Sequence, residues 1–207
     1  MINLEQPQKR RNEIRSLNNS GWFILAIHNP NKYPAIIARL RTKLSEKGVV
    51  MGPTLNEAEI EAFEIACNTR LPEAYRLFLQ QVGDGCDDTV LPNGIRIYGL
   101  KRLADTAVKD LSHTVTINDY WLWEAEEDEA LLTDEAFDER LGNQGVLLLD
   151  QGCGDTYQLI RAGKWAGEVW NFCDVGAGPC CERQDFLGWL ELWVDSDFDA
   201  DFFKDYK

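Results

Sequence analysis

Three short apolar runs in the second half of the chain constrain the fold most. They are GVLLLD (Gly145 to Asp150), TYQLI (Thr156 to Ile160) and EVWNF (Glu168 to Phe172). Each has strand length, and glycine-bearing turns link them, GCGD between the first two and RAGKWAG between the last two. A helix closes the series: Phe186, Leu187, Leu190 and Val194 keep a helical stripe, with Trp189 and Trp193 beside it.

Helices also precede the strands. In GPTLNEAEIEAFEIAC the sequence predicts a helix capped by Thr54, with Glu57 three residues on as its capping-box partner. Ile60, Phe63 and Cys67 fall on its inner face. The chain breaks near Asn68 and restarts at LPEAYRLFLQQVGDG, where Pro72 is pre-shaped for the first helical position and Glu73 suits the positive end of the helix dipole. Tyr75, Phe78, Leu79 and Val82 recur at i, i+3, i+4 and i+7, and Gly83 marks the stop. Every position there has a packing role, worth about 1.5–3 kcal/mol for each large side chain fully buried.

Helices at both ends around successive strands argue an α+β fold. Between them, VLPNGIRIYGL (Val90 to Leu100) reads as a hairpin around a Pro-Asn-Gly turn, and Leu100, Leu103, Ala107, Val108 and Leu111 as a short helix. Near the start, Trp22 to Ile27 reads as a strand, and Ile36, Ile37, Leu40 and Leu44 as a helix ended by Gly48.

Charge divides the chain. Nine Lys/Arg against three Glu give residues 1–48 a balance of +6, so with −14 overall the remainder carries −20. We expect residues 1–48 to form a basic extension packing on a main domain over residues 49–207, with an acidic insertion at 124–139. That insertion holds nine Asp/Glu and no Lys/Arg. The net charge disfavours nucleic acid and anionic membranes, and a basic partner is its complement. MINLEQPQKRRNEIRSLNNS lacks the apolar core of a secretory signal, and Trp22 to Ile27 is too short to span a bilayer; the expected location is cytoplasmic.

The motifs that could carry chemistry read more plainly as structure. Gly152-Cys153-Gly154 lacks the third glycine of a dinucleotide fingerprint, because position 157 is Tyr, and a strand follows rather than a helix. It is expected to be a hairpin turn using positive φ, with Asp155 capping local amides. Asp84, Asp87 and Asp88 (GDGCDD) could offer oxygens to calcium, but no Glu stands at the twelfth position of an EF-hand loop. None of the six cysteines forms a C-x-x-C pair, so no zinc site is expected, and Cys180-Cys181 reads as two small apolar residues in a loop. Only His28 and His113 could serve a Ser-His or Cys-His mechanism, and no G-x-S-x-G is present. Trp170 and Tyr157 fall on neighbouring strands and read as core.

The order of these elements is similar to that of the SUKH superfamily, which includes the fungal Smi/Knr-type cell-wall-synthesis regulators and many bacterial immunity proteins. The resemblance runs over roughly Gly52 to Asp195. Its motifs are Phe63-Glu64, LPEAY (Leu71 to Tyr75), Phe78-Leu79, the Gly152 and Gly154-to-Tyr157 turn, Gly167, Val169 and Trp170, and FLGWL (Phe186 to Leu190). It implies one main, mostly antiparallel sheet flanked by helices, here with an N-terminal strand-helix extension. It also implies a non-enzymatic protein without cofactor that neutralises a cognate toxin by binding it. The departures are the basic N-terminus, the acidic insertion after Trp123 and a longer Gly-Cys-rich loop at Val175 to Cys181.

Trp121, Trp123, Glu126, Glu127, Asp128 and Glu129 are the first candidates for contact with a basic toxin, because aromatic anchors beside carboxylates combine buried area with steering. Asp84, Asp87 and Asp88 are the second. The alternatives are a regulatory or scaffold module that binds a cellular protein and, third, a small hydrolase using paired carboxylates.

Overall fold

The structure, a computed structural model, describes residues 29–86, 91, 96–105, 111, 115, 117, 121–122, 133, 135, 144–173, 175–181 and 184–198. A 3-10 turn (Pro30–Lys32) leads into α1 (Tyr33–Glu46), followed by α2 (Glu57–Ala66), α3 (Glu73–Gln81) and α4 (Leu100–Asp105). The strands are β1 (Trp121–Leu122), β2 (Gly145–Gly152), β3 (Asp155–Ile160), β4 (Val169–Cys173) and β5 (Gly176–Pro179), and α5 (Phe186–Asp195) closes the described fold. The five strands form one sheet in the order β1-β5-β4-β3-β2, with every pairing antiparallel. The fold is α+β, as the sequence implies. The strand expected at Trp22 to Ile27 lies outside the described residues.

Register assigns the apolar side chains to two layers. Leu159 faces Val169 and Tyr157 faces Asn171, so Tyr157, Leu159 and Val169 share one face with Val146 and Leu149. That face packs on the helices in the main core. Gln158 opposes Trp170, and Phe172 opposes Ala177, so Ile160, Trp170, Phe172 and Ala177 share the other face. There they pack with Ile117, Val115 and Trp165. Both faces are therefore covered, and Trp170 and Tyr157 are core residues on opposite sides of the sheet.

Aromatic rings knit the helices over the sheet. The Phe78 ring lies 5.0 Å from Phe186, and Tyr75 lies 4.7 Å from Phe186, both edge-on. Trp189 stacks on Trp193 at 5.2 Å and meets Tyr157 of β3 edge-on. The apolar stripes expected for α2, α3 and α5 are thus realised.

Local details of the elements and their caps differ from the sequence expectations at several places. The capping box of α2 is Asn56 with Glu59, not Thr54 with Glu57: Asn56 accepts from the Glu59 N–H at 3.0 Å, and Glu59 accepts from the Asn56 N–H at 2.8 Å. The cause is tertiary. Leu55 N–H donates to Leu79 and Asp84 N–H donates to Pro53, which holds residues 53–55 extended along α3 and postpones the helix. Pro72 is the N-cap of α3 rather than its first helical residue, with an extended ψ of 142°.

The described part of the expected 90–100 hairpin, Leu91 and residues 96–99, belongs to no strand. Ile97 instead accepts from the Cys86 N–H, and the Tyr98 N–H donates to Leu148 on the edge of β2. Leu111, expected at the end of the following helix, lies outside α4 and donates its N–H to Cys67. Finally, Val175 to Cys181, expected as a loop, contains β5. Gly-Ala-Gly-Pro has little strand propensity, but it is paired on both sides, with β4 and β1.

α1 lies along α5. Tyr33, Ile37, Leu40 and Leu44 are buried, and a ladder of ion pairs flanks them. Arg39 Nε lies 2.6 Å from Glu191, Lys43 bridges Glu191 at 3.1 Å and Asp195 at 2.8 Å, and Lys47 meets Asp197. Tyr33 is anchored against Asp185, the N-cap of α5, whose carboxylate also accepts from the Gly188 N–H at 3.0 Å. Burial first, then the hydrogen bond to Asp185, raise the Tyr33 hydroxyl pKa well above its ordinary value. The Arg39 hydrogen bond holds Glu191 below the usual glutamate value.

Two predictions follow from this packing. Phe78→Ala, which removes a fully buried ring between Tyr75 and Phe186, should destabilise by about 3–5 kcal/mol in urea unfolding. An unshifted midpoint would disprove the assigned packing. Because the Glu191 carboxylate is lowered on folding, its contribution is present at neutral pH and fades as acid protonates it. The difference in melting temperature between wild type and Glu191→Gln should therefore shrink below about pH 4. A pH-independent difference would rule out the ladder as its source.

Candidate partner-binding surface

The residues proposed for contact fall into three situations. Trp121 is placed by its backbone in β1, where it pairs with Ala177, while Leu122 pairs with Gly176. β1 therefore ends beside the β4–β5 turn. Val175 in that turn is half exposed. Trp123, Glu126, Glu127, Asp128, Glu129, Asp87 and Asp88 lie outside the described residues.

Asp84 is described, and its side chain is engaged in the fold. Its Oδ1 accepts from the Leu100 N–H at 2.6 Å, satisfying a free donor at the start of α4. Three stretches of backbone converge here. Gly52 N–H donates to Gly85 at 2.8 Å, and Cys86 N–H donates to Ile97 at 2.8 Å. Gly85 takes φ +68°, and a Cβ there would collide with the Gly99 backbone. The turn that reads as solvated in sequence is thus a crossing point with a half-buried carboxylate at its centre.

The other turn behaves as its glycines require. Gly152, Cys153 and Gly154 have φ of 91°, 54° and 82°, closing the β2–β3 hairpin. Asp150 accepts from the Gly152 N–H at 2.7 Å, the role expected of Asp155. Asp155 instead accepts from the Asn171 side chain across the β3–β4 pair. Cys153 is exposed at the tip, whereas Cys180 and Cys181 are buried. Burial, followed by the Glu168 carboxylate, pushes the Cys181 thiol up to about 12, so it stays protonated and unreactive at neutral pH. Among the described residues no group of three or more His, Cys, Asp or Glu is placed to hold a metal ion. No described helix is long and apolar enough to cross a membrane.

A polar cluster that sequence reasoning passes over sits between α2 and α3. Arg76 and Glu64 are both buried and pair at 2.5 Å. Glu64 also accepts from the Leu71 N–H at 2.8 Å, and Arg76 reaches Glu57, which Gln80 holds at 2.7 Å. The signal available in sequence is an arginine next to the apolar stripe of α3, with a glutamate following Phe63. This cluster explains the Phe63-Glu64 and LPEAY motifs as a structural clamp.

The family model described as the SMI1 / KNR4 family (SUKH-1) matches residues 54–192, well over half of the chain. No curated protein and no solved structure matches it.

The role of Asp84 is directly testable. Asp84→Ala should leave the Leu100 N–H without its acceptor and cost about 1–2 kcal/mol, or roughly 2–8 °C in melting temperature. Asp84→Asn, which keeps an acceptor oxygen, should recover most of that loss. If both variants melt with the wild type, the carboxylate is not the cap of α4.

Proposed function

Because this chain belongs to the SMI1/KNR4 family (SUKH-1), we propose that it is a non-enzymatic immunity protein that binds and neutralises a basic, cognate toxin domain in the cytoplasm. The observation that carries this reading is the contrast between family motifs and charge. Glu64, Leu71, Tyr75, Phe78, Tyr157, Trp170 and Phe186 are all buried and occupied in packing. The acidic excess is concentrated at positions 124–139, outside every family motif. Family motifs whose described side chains are taken up by packing, beside a segment with nine carboxylates, suit recognition of a cationic surface. A toxin that attacks nucleic acid is such a surface, since its active site must attract phosphates.

In this reading Trp121, Trp123, Glu126, Glu127, Asp128 and Glu129 form the primary contact. Trp121 lies in β1, a paired strand, and the other five follow it closely in sequence; an anchor on a paired strand limits the entropy lost on binding. Asp87 and Asp88 are secondary. Asp84 takes part mainly by holding α4, because its carboxylate already accepts a backbone hydrogen bond. Residues 1–48 would act as an extension that stiffens the platform through α1. No cofactor is needed.

The test is to reverse the charges Glu126→Lys, Glu127→Lys, Asp128→Lys and Glu129→Lys together and measure association with the product of the neighbouring gene, which on this reading is a basic toxin domain. At low salt the association rate should fall by at least tenfold while the melting temperature stays within about a degree. Unchanged association kinetics would sink the acidic-segment reading.

A further inference from the structure

α2 presents a second surface that packing does not explain. Ile65 on this helix is 80% exposed, more than Val50 or Val175, the other large apolar side chains left in solvent among the described residues. At 100° per residue, Ala58, Ala62, Ile65 and Ala66 share one outward strip, opposite the buried Ile60, Phe63 and Cys67. All four strip residues are exposed. A helix back that only meets water normally carries long polar side chains, and an exposed β-branched residue forfeits helix propensity there. Three small side chains beside Ile65 leave room for another helix to approach closely.

The rim of the strip has one sign. Glu57 and Glu61 lie along one side and Glu59 along the other. Glu57 is held by Arg76 and Gln80, and Glu59 by the capping box. Glu61, one turn before Ile65, is exposed, and the chain as a whole carries −14. An apolar centre inside a carboxylate rim complements an amphipathic helix with apolar residues on its contact face and lysines or arginines beside them.

We propose that the outer face of α2 is a docking surface for a basic amphipathic helix of the protein partner. Ile65 is the apolar anchor, Ala58, Ala62 and Ala66 are the floor, and Glu61 is the charge that orients the incoming helix. This rests on the reading that the partner is a basic protein, and it adds a second contact region, independent of the acidic insertion.

The probe is a fluorescein-labelled synthetic helical peptide with leucines at i, i+3, i+4 and i+7 flanked by lysines, alongside a twin with glutamates for the lysines. Fluorescence anisotropy would be read against the full-length protein, Ile65→Asp, Ala62→Arg and the fourfold 126–129 charge reversal. The lysine peptide should bind the wild type, and Ile65→Asp and Ala62→Arg should each weaken it by roughly tenfold or more. Both variants should melt like the wild type, because these side chains point away from the core. The fourfold reversal should retain peptide binding. Its loss of the toxin domain with the peptide retained would separate the two surfaces, so failure of one reading leaves the other standing. Equal binding of the peptide to wild type and Ile65→Asp, or no binding of the lysine peptide, would overturn the proposal. So would a wild-type dimer in sedimentation that Ile65→Asp converts to monomer, since the occupant would then be a second copy of this chain.

Discussion

The buried pair of Glu64 and Arg76 sets the geometry on which the helical layer depends. Each charge is less than a tenth exposed, and taking an ion out of water costs several kcal/mol unless its partners replace the hydration. Glu64 lies 2.5 Å from the guanidinium as an ion pair and accepts from the Leu71 N–H, while the same guanidinium donates to Glu57 at the start of α2. One arginine of α3 therefore clamps the first and third turns of α2, and one carboxylate of α2 fixes the chain entering α3. Hydrophobic contact alone would tolerate rotation of α2 about its axis; directional bonds at both ends do not. With the rotation fixed, Ile60 and Phe63 must face inward and Ile65 outward, and Tyr75 and Phe78 must meet Phe186.

Charge organises the opposite side of the helical layer. Arg39, Lys43 and Lys47 recur every four residues along α1 and its C-cap, and meet Glu191, Asp195 and Asp197 on and just after α5. Surface ion pairs are individually worth little. Their effect here is on distribution: they neutralise carboxylates that would otherwise add to the self-repulsion of a chain at −14. The seam above α5 is near balance, so the excess negative charge belongs to the remaining surface. A basic partner would be drawn away from the α1–α5 seam.

The sheet's long strands and α5 were legible in the sequence because each carries its own period and stop. Gly145 to Asp150, Thr156 to Ile160 and Glu168 to Phe172 map onto β2, β3 and β4 within two residues at each end. What was illegible depends on partners distant in sequence. Thr54 and Asn56 both spell a capping box, and the backbone bond from Leu55 to Leu79 decides between them. β5 is Gly-Ala-Gly-Pro, invisible to propensity because its order comes from two neighbouring strands. Asp84 reads as a solvated turn residue until Leu100, 16 residues away, is seen to need an acceptor. The exposed strip of α2 has one sequence signal, Ile65, an isoleucine outside the inward stripe of an amphipathic helix.

A sheet buried on both faces limits where recognition can occur. The main core fills one side, and Ile117, Ile160, Trp170, Phe172 and Trp165 fill the other, so among the described side chains neither face offers an apolar surface to a partner. Of the two sheet edges, β2 is already bonded at Leu148 by the Tyr98 N–H. Among the described residues, the β1 edge and the backs of the helices remain. Binding at such places uses side chains that the fold does not need, so their substitution changes affinity without changing stability. On the proposed reading the two kinds of contact would act on different rates: carboxylates after β1 would raise the encounter rate and lose that effect in salt, whereas an apolar anchor such as Ile65 would lower the dissociation rate and keep its effect. A partner that needs both would bind fast and stay, and either half could diverge while Glu64, Arg76 and the aromatic core hold the scaffold constant.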